Sequence, residues 1–478
     1  MDRAVPPTSP AASSHAPAAI TAPGLLDEDG LPVPRRYWAM LTVFLGILLA
    51  VLDGTISNVA LPTIASDLRA SPAASIWVVN AYQLAITVSL LPLASLGEIV
   101  GYQRIYRGGL LLFVVASLFC ALSHTLAVLT LARVLQGLGA AGIMSVNGAL
   151  IRFIYPRRLL GRGIGFNAMV VAISSAIGPT VAAGILSVGS WPWLFAVNIP
   201  IGLVAILLSV RSLPDTPRAG HRFDGSSALL SALTFGLLIA VLSHLGRGLG
   251  WVEALGVLGV ASMCGVALVR RQQRQPAPLL PVDLMRIPVF ALSIGTSILS
   301  FAAQMLAFVS LPFFIQNTLG HSVVQTGLLL TPWPLALTVV APLAGRLSER
   351  YPAGLLGAVG LLAMACGLML IAMLPAHPGD LALAWRLALC GAGFGLFQTP
   401  NNRTIMQAAP RARSGGASGM LSTARLLGQT TGAALVATIF SLAPTGGTIM
   451  PLEVAAGCAL LAALISAARI TTTQHQPT

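Results

Sequence analysis

Asp53 is the one acid inside the apolar run YWAMLTVFLGILLAVLDGTISNVALP, Tyr37 to Pro62. A charge at membrane depth costs about 2.5–3.5 kcal/mol or more, so a carboxylate kept there faces a water-filled cavity or a basic partner and marks the path of an ion or substrate. The run LTLARVLQGLGAAGIM, Leu129 to Met144, offers the base, Arg133, with Gln136 three residues on and on the same helical face. At 1.5 Å per residue Asp53 lies about 13 Å from the Pro62 end of its run, and Arg133 about 10 Å from the Leu126 end of its own, so the two charges share a depth. Paired, each lowers the other's cost, and a proton on the acid breaks the pair, which is a route to proton-coupled switching. The plainer alternative is a static ion pair that fixes helix packing. Removing Arg133 strands the acid, so its loss is expected to cost more stability than neutralising Asp53.

The elements that position such a pair are membrane helices. The chain has 478 residues, of which 56% are hydrophobic and 9% charged, and its mean hydropathy is +0.85. Soluble domains carry about 25% charged residues, so this is the composition of an all-α polytopic membrane protein whose partner is the lipid bilayer. All 27 basic residues are arginine. Without lysine there is neither a Walker A phosphate loop nor a Schiff-base amine. The arginines sit in short loops between apolar runs and form no basic face, which excludes nucleic acid as a partner. Cys120, Cys264, Cys366, Cys390 and Cys458 fall singly in or beside apolar runs, as small core residues do. The seven histidines lie in tails or loops, so no metal or haem site is expected, and no cofactor. With no nucleophile and base pair either, an enzyme is not expected.

Fourteen apolar runs follow the Pro- and Ala-rich segment 1–36, which reads as a disordered tail: 37–61, 75–97, 105–123, 126–150, 163–188, 192–210, 227–245, 251–269, 288–315, 324–347, 353–374, 381–400, 416–441 and 451–469. Cytoplasmic loops hold the positive charge. With both termini cytoplasmic, 22 of the 27 arginines fall inside, two (Arg69, Arg247) outside and three (Arg133, Arg386, Arg425) within spans, and an odd span count would scramble that order. Asp53 then lies in the outer half of the membrane. The second span ends in PLASLGEIVGYQR, Pro92 to Arg104, and the tenth in PLAGRLSERYP, Pro342 to Pro352, a weak repeat with an acid, Glu98 or Glu349, at each helix mouth, where it is expected to pair with a nearby arginine. The lysine-free composition suggests a bacterial inner membrane.

Four stretches carry a family resemblance: LDGTISNVALP (Leu52 to Pro62), LTLARVLQGLGAA (Leu129 to Ala141), GPTVAAG (Gly178 to Gly184) with the following SWPWLFAVNIPIG, and GEIVGYQR (Gly97 to Arg104). Together they resemble the major facilitator superfamily, and within it the fourteen-span drug:proton antiporter branch. The resemblance implies two six-helix bundles, 37–210 and 288–470, joined by a linker, 211–287, that carries two extra helices, with a short cytoplasmic tail, 471–478. It implies alternating access to a central cavity, a chain that works as a monomer, and proton coupling through Asp53 and Arg133. Gly178 and Pro179 match the antiporter motif of the fifth span, while Gly97, Glu98, Gly101 and Arg104 occupy the loop that gates the cytoplasmic side. That loop departs from the family pattern at Glu98 and Ile99, which replace Asp-Arg, and at Gln103, which replaces a base. Asn80, Tyr82, Gln83, Gln136, Gln304 and Gln398 are the candidates for cavity lining.

The reading these residues support is a secondary active exporter that exchanges protons for a hydrophobic or cationic small molecule, as multidrug efflux carriers do. A facilitator or exporter for one metabolite is the alternative within transport. A non-transporting receptor or scaffold is the alternative outside it, and would not require Asp53 and Arg133 at matched depth.

Overall fold

The computed structural model of the chain describes residues 30–156, 159–216, 218, 223–244, 251–273, 282–375, 378–409, 414–442 and 449–473. In hydrocarbon a backbone N–H or C=O has no water to turn to, so each apolar run closes its hydrogen bonds within itself as a helix. The first half holds α1 (Arg35–Asp67), α2 (Pro72–Ser75), α3 (Trp77–Val100), α4 (Tyr102–Ala121), α5 (Leu126–Ile154), α6 (Leu160–Val188), α7 (Trp193–Ala196) and α8 (Asn198–Ser212). In the middle lie α9 (Gly225–His244) and α10 (Trp251–Gln272). The second half holds α11 (Pro288–Phe313), α12 (Val323–Leu330), α13 (Pro332–Leu347), α14 (Ala353–Ala372), α15 (Asp380–Ala408), α16 (Ser414–Leu442) and α17 (Met450–Thr473). Three short helices continue into their neighbours across single residues, Ile76, Val197 and Thr331, so the described residues form fourteen rods where fourteen runs were expected. Twelve of these are long and apolar enough to cross a membrane; α9 is a shorter apolar helix over Gly225–Val241, and α16 falls outside the twelve.

The rods overrun the apolar stretches at their ends. α1 continues through the buried Pro62 to Asp67, which moves Asp53 towards the middle of its helix, about 27 Å from Arg35 and about 21 Å from Asp67. The segment expected as a tail is ordered where it is described: Leu31 is buried and its N–H donates to the Ile154 carbonyl at 3.0 Å, while Arg36 Nε donates to the Leu31 carbonyl at 2.9 Å. Residues 1–29 lie outside the described residues.

Packing repeats between the halves. α5 lies against α3 and α4 as α15 lies against α13 and α14, and α1 meets α6 and α8 as α11 meets α16 and α17. Glycine sets the closest approaches in both. A Cβ on Gly139 of α5 would stand 2.8 Å from the Gly109 carbonyl oxygen of α4, and a Cβ on Gly360 of α14 would stand 2.5 Å from that of Gly393 of α15. Gly137 is held as tightly between α5 and α3, its Cβ position 2.6 Å from the Tyr82 carbonyl oxygen. A backbone carbonyl cannot retract as a side chain can, so Gly137→Ala is expected to cost about 1–3 kcal/mol. The purified variant should melt earlier in detergent, and an unchanged midpoint would contradict this packing.

The two halves share one apolar core. Leu52, Ile56, Val59 and Leu61 of α1 pack in the same cluster as Phe301, Leu306 and Phe313 of α11 and Phe440 of α16. Towards the Arg35 end of α1 the core divides. One cluster there draws on α1, α3, α4, α5 and α8 with only Leu426 from the second half, and another draws on α10, α11, α15 and α16. The halves are thus sealed at the Asp67 end of α1 and, at the other, packed separately but for α3 and α16, which touch there.

Candidate functional site

Five helices converge on the Asp53 carboxylate. Arg133 of α5 donates through Nη1 to Oδ2 in a close ion pair, while Gln136 Nε2, one turn further along α5, donates to Oδ1 at 2.9 Å. Asn198, the first residue of α8, donates its Nδ2 to the same oxygen at 2.8 Å. Gln136 Nε2 also reaches Ser117 Oγ of α4 at 2.9 Å, and Arg133 Nε donates to the Val78 carbonyl of α3 at 2.9 Å. Asp53 is 1% exposed and Arg133, Gln136 and Asn198 are fully buried.

Aromatic rings complete the enclosure. The Arg133 guanidinium lies 4.1 Å from the centre of the Tyr82 ring and 5.5 Å from that of Phe195, where the ring faces attract a cation. Tyr82 is fixed in turn by its hydroxyl, which donates to the Ala50 carbonyl at 2.8 Å. With three donors on it, the Asp53 carboxylate is satisfied by protein alone, while Arg133 Nη2 is buried without a hydrogen-bond partner among the described residues. A proton arriving at Asp53 therefore has to displace one of its donors, and what displaces is tied to α5, α8 or both.

Of the cavity candidates, Tyr82 and Gln136 stand in this cluster and not on a cavity wall. Gln83 and Gln304 are nearly buried and Gln398 half-buried, their side chains without hydrogen bonds among the described residues; Asn80 is fully buried, and neither of its side-chain polar atoms has a partner there. Asn198, Ser117 and Phe195 are members of the cluster that sequence reasoning missed. The signal for Asn198 was present: it is the one polar residue in the apolar run LFAVNIPIG.

Gly178 and Pro179 place α6 between the halves. A Cβ on Gly178 would stand 2.1 Å from Thr55 Oγ1 of α1, two residues beyond Asp53, and the Pro179 carbonyl oxygen lies 2.5 Å from where a Cβ on Gly327 of α12 would be. At the α3–α4 turn, Gly97 packs against Val146 and Tyr102, and Gly101 takes φ +110°, a conformation that favours glycine. Glu98 is exposed, and Arg104, also exposed, borders a cavity of about 660 Å³ among α3, α4, α5 and α9. Gln103, in the place of the family's base, is buried and ties down the chain beyond α8: its Nε2 donates to Asp215 Oδ1 at 2.6 Å and its Oε1 accepts from Thr216 Oγ1 at 2.9 Å. Glu349 was expected to pair with an arginine, yet it is exposed with no ion pair among the described residues; nearby, Arg403 bonds Ser348 Oγ at 3.1 Å. Arg469, counted from sequence as a loop arginine, is buried, donating to Ser293 Oγ, Asn401 Oδ1 and Ser466 Oγ at 2.8, 2.5 and 2.6 Å.

Two repeated helical halves around a seam, with an enclosed charge cluster beside it, define a multi-pass membrane carrier. The chain belongs to the Major Facilitator Superfamily, whose family profile matches residues 43–433. It is 60% identical over 448 residues to the uncharacterized transporter YebQ of Escherichia coli, covering 93% of this chain and 98% of that one. It is 29% identical to the riboflavin transporter RibZ of Clostridioides difficile, covering 85% and 89%, and 32% identical to the multidrug resistance protein Stp of Mycobacterium tuberculosis, covering 83% and 74%. Among solved structures, a bacterial homolog of the human lysosomal transporter Spinster, in an inward-facing and unoccupied conformation, superposes with a TM-score of 0.67 at 17% identity, over 94% of this chain and all of that one.

Proposed function

We propose that the chain is a proton-coupled exporter of hydrophobic small molecules in a bacterial inner membrane, working as a monomer by alternating access. The observation that carries this is the enclosed carboxylate and guanidinium pair, which one proton can switch. On this reading a proton reaching Asp53 from outside releases Arg133, Gln136 and Asn198, and the change passes to α5 and α8. Substrate enters from inside while the Asp67 end of α1 is sealed, and the proton leaves to the cytoplasm as the pair re-forms. Gly178 and Pro179 of α6 hold that seal, and the turn at Gly97, Glu98, Gly101 and Arg104 gates the opposite side. The cavity lies between the halves, with Gln83, Gln304 and Gln398 on its walls, and Asn80 near them.

The likeness to Stp favours a broad range of substrates, and the likeness to RibZ favours a single metabolite. Everted vesicles separate the two: under a proton gradient, a multidrug carrier accumulates several unrelated dyes and loses all of them to a protonophore. Accumulation of none, or accumulation that survives the protonophore, would contradict proton-driven export.

All fourteen rods cross the membrane on this reading, with 37–210 and 288–470 as the two bundles, 211–287 as the linker between them, and both termini cytoplasmic. In a cysteine-free background, His124→Cys should react with an impermeant maleimide on intact cells and Tyr351→Cys should not. Labelling of Tyr351→Cys from outside would overturn this topology.

A further inference from the structure

α16 carries a charge that the Asp53 cluster does not use. Arg425 is half-buried, its Nε is closed off from solvent, and among the described residues it has no hydrogen bond or ion pair. The neighbours on its own helix settle which way it faces. Gly428 and Gly432 press on α11, where a Cβ at either would stand 2.4 Å from the carbonyl oxygen of Ile298 or Ala302. Thr430 Oγ1 lies 3.0 Å from Thr87 Oγ1 of α3, and Leu426 joins the apolar cluster of the first half. Met420 packs in the cluster of Leu268 and Leu284, on the side of the extra helices. At 3.6 residues per turn these contacts occupy three sides of α16. Arg425, with Ser422 and Gln429, takes the fourth, between α11 and α3 and away from α10.

That side looks into the seam between the halves. Ser422 and Gln429 are also half-buried and without hydrogen bonds among the described residues, so the strip is polar and open. Counted from the Thr87 and Thr430 contact along antiparallel helices, Arg425 lies about 15 Å from the level of Tyr82, towards the end where α1 begins. It stands on the separately packed side of the sealed core, where a molecule entering the seam meets it before reaching Asp53.

A guanidinium at membrane depth is expensive unless an anion answers it, and its planar fork of donors matches a carboxylate, sulfonate or phosphate in two parallel bonds. We propose that Arg425 is the anion-recognising residue of the transport cavity, and that the exported molecules carry an acidic group on a hydrophobic body. The proposal rests on the exporter reading for its cavity and replaces the cationic substrates expected from sequence.

The test uses two dyes with the same tricyclic body and opposite charge, carboxyfluorescein and rhodamine 123. They are bound to the purified full chain in phosphatidylcholine nanodiscs, where no anionic lipid competes. The parent should bind carboxyfluorescein at least ten-fold more tightly than rhodamine 123. Arg425→Gln should lose about ten-fold on the anion and nothing on the cation, and Arg425→Lys should fall between the two, because an ammonium keeps the charge but not the two parallel bonds. Gln429→Cys in the parent should be protected from maleimide by carboxyfluorescein, an arm that stands even where Arg425→Gln fails to fold. A parent that prefers rhodamine 123, an Arg425→Gln variant that binds the anion like the parent, or an unprotected Gln429→Cys overturns the proposal. Competitive displacement of the dye by added phosphatidylglycerol assigns the site to a lipid headgroup and overturns the substrate claim. Anion binding at Arg425 without proton-driven uptake of the dye into everted vesicles leaves the anion site standing and removes the exporter reading, and with it the claim about exported molecules.

Discussion

Asp53→Asn is expected to be the most damaging single substitution in the cluster, more so than Arg133→Gln. The carboxylate offers one oxygen to Arg133 Nη1 and the other to the amides of Gln136 and Asn198. An asparagine has one oxygen only, so with that oxygen on Arg133 its NH2 confronts the amides of Gln136 and Asn198, and Asn198 has to turn its unpartnered Oδ1 inward to accept from it. Arg133 cannot answer by losing its proton, because a guanidinium stays charged in proteins. Its charge is left buried against two rings, at a cost of about 3–5 kcal/mol. Arg133→Gln leaves an acid that keeps two amide donors and can neutralise itself by taking a proton. The sequence expectation, in which losing Arg133 costs more, is therefore reversed by the company the structure puts around Asp53. Melting in detergent checks the order. Arg133→Gln should melt between the parent and Asp53→Asn, and Asp53→Asn combined with Arg133→Gln should regain most of the loss. An Asp53→Asn protein that melts like the parent would contradict the geometry of the cluster.

Gly327→Ala should open the sealed end of the molecule. The new Cβ would stand 2.5 Å from the Pro179 carbonyl oxygen and 2.6 Å from Ala183 Cβ, so α6 and α12 have to part. Overpacking of this kind costs about 1–3 kcal/mol, and here it falls only on the arrangement in which the two halves touch. A difference of that size between two states shifts their ratio about 5- to 150-fold. Val59, buried in the shared core, reports it: Val59→Cys should react faster with maleimide when Gly327→Ala is present. Gly137→Ala, strained within one half, should lower the melting point and leave that reactivity alone. Unchanged reactivity of Val59→Cys beside Gly327→Ala would mean that this contact does not hold the seal.

What could be read from sequence follows from what each residue type announces. Asp53 and Arg133 were legible because a charge in an apolar run has few uses, and Gln136 because it follows Arg133 by three residues. Asn198 was not, since an amide in a span has many bland explanations and its partner lies 145 residues away in the chain. Tyr82 reads from sequence as a cavity residue; that its ring turns to Arg133 depends on how α3 is rotated, which apolar periodicity does not set in a helix buried on most sides. The helices were placed from sequence, but several of their ends were not, because helix continues through polar residues once the apolar part has nucleated it, as α1 does from Pro62 to Asp67. Arg469 went astray for the same reason: an arginine at the end of an apolar run looks like a loop residue until Ser293, Asn401 and Ser466 close around it.

The central claim is that one proton on Asp53 moves with each turnover, and proton movement itself tests it most directly. The full chain is reconstituted in phosphatidylcholine vesicles that hold a trapped pH-sensitive dye, a gradient of whichever substrate dye the parent carries is imposed, and internal pH is followed. The parent should drive protons against the substrate flux, and Asp53→Asn with Arg133→Gln should bind the dye yet leave internal pH flat. Substrate flux through the parent without any pH change, or proton movement that persists in the double variant, would contradict it.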